Sequence, residues 1–137
     1  MTANVSISMS GSVLLDTNIV IALFAGDSAV IEKLAETEEV FVPSIVLGEL
    51  YFGARNSSRV EENVARISAF AQSSTILHCD ATAAEHYGDI KRQLKVSGTP
   101  IPENDIWISA IAVQFGLVLI SRDKHFGEVE NLKLERW

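Results

Sequence analysis

Val13-Leu14-Leu15-Asp16-Thr17-Asn18-Ile19-Val20-Ile21-Ala22-Leu23-Phe24 is the stretch whose reading decides the fold. It opens with three apolar residues in a row, too short for a helix and apolar on both faces, as a strand covered on both sides must be. Asp16-Thr17-Asn18 then breaks the run with side chains that favour turns and helix caps. Ile19–Phe24 resumes as an apolar helix that ends near Gly26. Strand, polar exit and helix together make the opening unit of an α/β fold. The unit sets a carboxylate at the carboxyl end of a strand, where parallel sheets keep their ligand sites.

The same order recurs along the chain. Ser28–Glu39 reads as a helix, with Val30, Ile31 and Leu34 on one side and Glu32, Lys33 and Glu36 on the other. Val40–Val42 is a second short strand, and Ser44 is placed to cap a helix through Arg55. Ser58 and Glu61 have capping-box spacing at the head of a helix from Arg59 to about Gln72. Thr75–Leu77 is a third strand. Asp80 caps a long helix, Ala81–Val96, that Gly98 closes. Asn104 is placed to cap the next helix, with Asp105 in its first turn, Ile106–Phe115 as its body and Gly116 as its stop. Leu117–Ile120 is a strand that exits through Ser121-Arg122-Asp123, and Leu132–Glu135 reads as a last edge strand. The expectation is an α/β three-layer sandwich with a central, mainly parallel sheet flanked by helices.

The chain of 137 residues is the size of one domain. Residues 1–12 carry no charge and read as a loose leader ahead of a single domain, 13–137. They lack the basic and apolar regions of a signal peptide, and no apolar run reaches the ~20 residues of a membrane span. Hydrophobic residues make up 47% and charged residues 21%, which excludes a disordered chain. Cys79 is the one cysteine, so there is no internal disulfide; it reads as a small buried hydrophobe in a reducing compartment, the cytoplasm. The formal net charge of −7 works against phosphate binding, unless several of the acids hold divalent cations.

Four acids stand where acids are costly. Asp16 and Asp123 follow strands. Glu49 lies within Ile45-Val46-Leu47-Gly48-Glu49-Leu50-Tyr51-Phe52, and Asp105 opens Ile106-Trp107-Ile108. A carboxylate among apolar neighbours demands a partner or a metal. Four gathered at one sheet edge would repel one another, and a hard divalent cation with oxygen ligands removes that repulsion. Such a site activates water and stabilises charge on a phosphate, with one ion or two. Taken singly, each acid also has a local role open to it: Asp16 as a cap, Asp105 at a helix dipole, Asp123 in a turn. Asn18 and Ser121, each two positions from a candidate ligand, are placed to orient a carboxylate or a metal-bound water, or to cap a turn.

These segments resemble a known family. Leu14-Leu15-Asp16-Thr17-Asn18 resembles the first motif of PIN-domain nucleases, and Pro43–Gly53, with Glu49, the second. Pro102–Ala110, with Asp105, resembles the third, and Leu119–Phe126, with Asp123, the fourth. The motifs occur in the family's order over residues 14–126, and the nearest likeness is to VapC-type toxins of bacterial toxin–antitoxin pairs. The resemblance implies a PIN fold and a Mg²⁺- or Mn²⁺-dependent endoribonuclease. Asp16, Glu49, Asp105 and Asp123 would be its catalytic and metal-binding residues, with Asp16 and Asp105 as the core ligands. It also implies a homodimer and a cognate antitoxin that reaches into the active site, with DNA bound only through that antitoxin. Structured RNA such as tRNA or rRNA is the expected substrate. Ser121 stands where threonine is frequent and keeps the hydroxyl.

Arg122 and Lys124 flank Asp123 and are the cations expected to meet RNA; Arg55, Arg59, Lys91, Arg92 and Lys95 read as solvated faces. His78, His86 and His125 lack a metal-ligand spacing, and His125 reads as a turn residue. Tyr51, Phe52, Trp107 and Phe115 are expected in the core or a dimer interface. Two other readings stand beside the nuclease. One is a non-catalytic, antitoxin-binding regulatory module. The other is a haloacid dehalogenase-type phosphatase, which needs an aspartate where Asn18 stands.

Overall fold

The computed structural model describes residues 11–137. Its first strand, β1 (Ser12–Leu15), leads through α1 (Thr17–Phe24) and α2 (Ser28–Ala35) to β2 (Glu39–Pro43). Helices α3 (Ser44–Arg55) and α4 (Val60–Gln72) lead on to β3 (Thr75–Leu77). Helices α5 (Ala81–Ser97) and α6 (Glu103–Phe115) lead to β4 (Val118–Ile120), and a 3₁₀ turn at Lys124–Glu128 precedes β5 (Lys133–Glu135).

The five strands form one sheet in the order β3-β2-β1-β4-β5, and every pairing is parallel. β1 therefore lies at the centre, with Leu14 and Leu15 fully buried. The chain steps outward from β1 to β2 and β3, then returns across the sheet to β4 and β5. Right-handed crossovers place the helices of the outward steps on one face and those of the return on the other. Helix α3 packs on α1 and α4, α5 packs on α6, and α3 also meets α6. Reversal of strand order between β1 and β4 opens a crevice at their carboxyl ends.

One core joins the sheet to its helices through Leu14, Leu15, Ile19, Val20, Val46, Leu119, Ile120 and Phe126. A second cluster, Ile90, Leu94, Ile106, Ala110 and Val129, fastens α5 to α6. Gly116 ends α6 at φ 64°, a left-handed conformation that a side chain would strain, and so turns the chain into β4.

Several local expectations change. The first strand takes in Ser12, which pairs with Glu39; the rest of the expected leader, 1–10, lies outside the described residues. The second helix stops at Ala35, and Glu39 belongs to β2. Ser44 is the first helical residue of α3, with Pro43 in the cap position and no side-chain cap. The Ser58–Glu61 capping box does not form; Arg59 precedes α4 without a side-chain cap. Helix α6 begins at Glu103 behind Pro102, so Asn104 lies inside the helix and is no cap. Asp80 and Gly98 do bound α5 as the sequence implies. Cys79 is exposed rather than buried, and partial desolvation and the adjacent Asp80 push its thiol upward, away from nucleophilic chemistry. Phe52 and Phe115 are exposed, while Tyr51 is half-buried and shares a hydrogen bond with Ser68.

Candidate active site

The crevice at the ends of β1 and β4 is an open cleft of about 590 Å³. Asp16, Glu49, Asp105 and Asp123 all line it, although they are 33, 56 and 18 positions apart in sequence order (49 − 16, 105 − 49, 123 − 105). Thr17, Asn18, Glu103, Asn104 and His125 complete its polar wall. Among the described residues, no lysine or arginine lines it.

Asp16 is anchored by the sheet itself. Its N–H donates to the Ile120 carbonyl at 3.0 Å, extending the β1–β4 ladder by one residue. Its side chain is 3% exposed. Oδ1 accepts from the Thr17 N–H at 2.8 Å, and Oδ2 accepts from Ser121 Oγ at 2.7 Å. Burial outweighs these bonds and lifts the carboxyl to about 6, with the charges of Asp105 and Asp123 pushing the same way.

Asn18 ties the two strand ends together. Its amide nitrogen lies 3.3 Å from Asp16 Oδ2 and 3.3 Å from Asp123 Oδ2, and its oxygen accepts from the Arg122 N–H at 3.2 Å. Ser121 Oγ in turn accepts from the Asp123 N–H at 3.0 Å. Asn18 and Ser121 thus each bond to both strand-end acids.

Two helices bring the other acids. Glu49 projects from α3 and accepts from Thr17 Oγ1 at 2.5 Å. Asp105 lies in the first turn of α6 and is buried, 8% exposed. Its Oδ2 is 2.6 Å from His125 Nε2. Burial raises the Asp105 carboxyl and the charges of Glu49 and Asp123 add to the rise, against the pull of His125. Asp105, Asp123 and His125 each offer a donor atom, all within 4.8 Å of one another.

The donor set suits a divalent cation. Five carboxylates, counting Glu103, face one cleft with no lysine or arginine on its wall, and two of them, Asp16 and Asp105, are held above their ordinary range by burial and by neighbouring carboxylates. Hard oxygen donors of this kind match Mg²⁺ or Mn²⁺, and a cation would remove the cost of ionising them together.

Thr17 and His125 are the site residues the sequence reading passed over. Thr17 abuts Asp16 in the same turn, and His125 follows Asp123 by two positions; adjacency to the acids was the available signal. Arg122 corrects the expectation placed on it. Its Nε donates to the Trp137 carbonyl at 2.8 Å and its NH2 group pairs with Asp27 at 2.9 Å, so the guanidinium is committed to the fold. Lys124 is exposed beside Asp123, outside the cleft wall. Lys91, one of the cations read as solvated, pairs with Glu103 at 2.8 Å.

Comparison with known proteins agrees with this fold. The PIN domain family matches residues 13–132. Ribonuclease VapC2 of Haemophilus influenzae is 39% identical over 129 residues, covering 90% of this chain and 96% of its own length. The tRNA(fMet)-specific endonuclease VapC of Shigella flexneri is 32% identical over 127 residues, with 90% and 96% covered. Among solved structures, the VapBC2 complex of Rickettsia felis bound to a promoter DNA fragment superposes with a TM-score of 0.84 at 29% identity. That match covers 92% of this chain and 98% of the other.

Proposed function

The chain belongs to the PIN domain family, and from that premise we propose that it is an endoribonuclease toxin of the VapC kind, neutralised by a cognate antitoxin. The observation that carries the catalytic part is the convergence of Asp16, Glu49, Asp105 and Asp123 on one cleft without a lysine or arginine. These four would hold Mg²⁺ or Mn²⁺. A divalent ion there supplies an activated water and offsets charge on the phosphate.

The protein's own groups prepare that chemistry. Ser121 and Asn18 fix the direction of Asp16, so its free lone pairs face the cleft. Asn18 keeps Asp123 near Asp16 despite like charge. Thr17 restrains Glu49, and His125 restrains Asp105. The cleft is open, which suits a single-stranded loop of a structured RNA whose backbone enters edge-on. We take tRNA or rRNA as the substrate class; the Shigella flexneri relative is named for a tRNA. Lys124, exposed beside Asp123, is the cation best placed to meet the flanking phosphates.

An antitoxin partner follows from the VapBC complexes, and DNA would be bound through that partner, as the Rickettsia felis complex with promoter DNA suggests. A homodimer belongs to the same reading, supported by the exposed Phe52, Val96 and Phe115. A cytoplasmic location goes with an RNA substrate, and no described helix is long and apolar enough to cross a membrane.

The deciding experiment incubates the pure protein with total RNA in Mg²⁺ or Mn²⁺, with EDTA and Asp16→Asn as controls, and maps the cut ends. Discrete cuts in the metal-containing sample alone are expected. Cleavage that survives EDTA or Asp16→Asn overturns the mechanism. No cleavage of any RNA favours the non-catalytic module. A phosphatase of the haloacid dehalogenase type is disfavoured because the position it needs is Asn18, an amide that donates to both Asp16 and Asp123.

A further inference from the structure

His125 sits in the 3₁₀ turn after β4, two residues beyond Asp123, and its ring lines the cleft with about a third of the side chain exposed (34%). The ring is held there from two sides. Phe126, fully buried in the main core, anchors the turn and lies 5.0 Å from the imidazole centroid. Nε2 meets Asp105 Oδ2 at 2.6 Å. No second side chain is recorded as a hydrogen-bond partner of Nδ1 among the described residues, so neither tautomer is locked by a further bond.

A ring nitrogen of His125, an oxygen of Asp105 and an oxygen of Asp123 lie within 4.8 Å of one another, a spread that one small cation spans with modest side-chain adjustment. With its proton on Nδ1, the imidazole turns a lone pair toward the space where its bond to Asp105 now runs. The cleft then offers a nitrogen donor among oxygens, and nitrogen discriminates between ions. Mg²⁺ is hard and favours carboxylate, carbonyl and water; Mn²⁺ takes the same oxygen ligands but, as the first member of the Irving–Williams series, gains more than Mg²⁺ from a nitrogen donor.

We infer that His125 is a direct metal ligand, together with Asp105 and Asp123, and that its imidazole makes the site prefer Mn²⁺ over Mg²⁺. The inference rests on the metal-nuclease reading of the cleft but is separable from it. An outer role for His125, in which it merely steers Asp105, would leave the ion in an all-oxygen shell and indifferent to the ring.

Mn²⁺ binding to the full chain, followed by loss of the free-ion paramagnetic resonance signal, gives the Mn²⁺ affinity, and Mg²⁺ competition gives the selectivity. Electron spin echo modulation at one equivalent of Mn²⁺ reports whether a nitrogen is bound. Coordinated-nitrogen modulation is expected in the wild type and in the His78→Ala/His86→Ala variant, and is lost in His125→Asp. The Mn²⁺-over-Mg²⁺ ratio falls by roughly tenfold in His125→Asp, which restores an oxygen donor, and likewise in His125→Gln. Tight Mn²⁺ binding with no nitrogen modulation, or a ratio unchanged in folded His125→Asp, overturns the inference and leaves the metal nuclease standing. Failure of the wild type to bind Mn²⁺ at all overturns both.

Discussion

Ser121 Oγ donates a 2.7 Å hydrogen bond to Asp16 Oδ2, joining the carboxyl ends of the two central strands by side chains as their backbones are joined by the ladder. The bond crosses 105 positions of sequence and is buried. It is the point where the sheet's topology becomes chemistry, because it aims the most buried acid of the cleft and opposes the rise in its pKa.

Removing that bond should show in the pH profile. Ser121→Ala deletes a group that stabilises the ionised form of Asp16, so the carboxyl rises above about 6 and the acid limb of kcat/KM moves to higher pH. Ser121→Thr, which keeps the hydroxyl, should leave the limb in place. An unmoved limb in Ser121→Ala would show that Asp16 does not govern that ionisation.

Stability in the absence of metal should carry the opposite signature to that of a paired acid. The Asp16 carboxyl is raised from 3.8 to about 6, so the folded chain holds more protons than the unfolded chain between those values. Stability therefore falls as pH rises through that window, and the penalty is complete above it. Asp16→Asn removes the ionisation and should melt higher than the wild type in EDTA at pH 7.5, by on the order of 2 kcal/mol. The difference should vanish near pH 4. A variant less stable than the wild type at both pH values would contradict the desolvation account.

Divalent cations should reverse this penalty. At concentrations about a hundredfold above the dissociation constant, Mg²⁺ or Mn²⁺ should stabilise the wild type by ~2.7 kcal/mol through mass action. Asp16→Asn and Asp105→Asn should respond far less. Equal metal-induced shifts in thermal melts of all three proteins would place the ion elsewhere.

Arg122 and Lys124 should separate, although both flank Asp123. Arg122→Ala loses a partly exposed ion pair with Asp27 and a bond to the Trp137 carbonyl, and should lower the denaturation midpoint. Its backbone N–H to Asn18 survives, so kcat should hold. Lys124→Ala should leave melting unchanged, raise KM for RNA and reduce the salt dependence of binding. Denaturant melts beside steady-state kinetics on a cleaved RNA would expose the reverse pattern.

Much of this architecture was legible in the residues. The short apolar runs at Val13–Leu15 and Leu117–Ile120 pointed to buried parallel strands because they are too short for a helix and apolar on both faces; the strand itself spans Val118–Ile120. The terminators of α5 and α6, Gly98 and Gly116, were legible because only a residue without a Cβ adopts their left-handed backbone cheaply. The N-terminal caps of α3, α4 and α6 were misread. Pro43 and Pro102 fix the starts of α3 and α6 by restricting φ and supply no side chain for a capping pattern to detect, and α4 starts behind Arg59 without a side-chain cap. The cleft-lining acids were legible by position, two at strand ends and two in apolar helices, whereas Thr17 and His125 were not, since a threonine and a histidine in turns violate no local rule.

What the sequence by itself determined is therefore the set of elements and the identity of the four acids, because both follow from local cost: hydrophobic periodicity, and the expense of burying charge. Strand order, the reversal between β1 and β4, and the gathering of Asp16, Glu49, Asp105 and Asp123 at that reversal were decided only by tertiary structure. So were the loss of Arg122 to Asp27 and Trp137 and the entry of His125 into the cleft. Those depend on contacts between residues 15 to 105 positions apart, whose energies are fixed by packing and crossover handedness and leave no mark on the neighbours of any one residue.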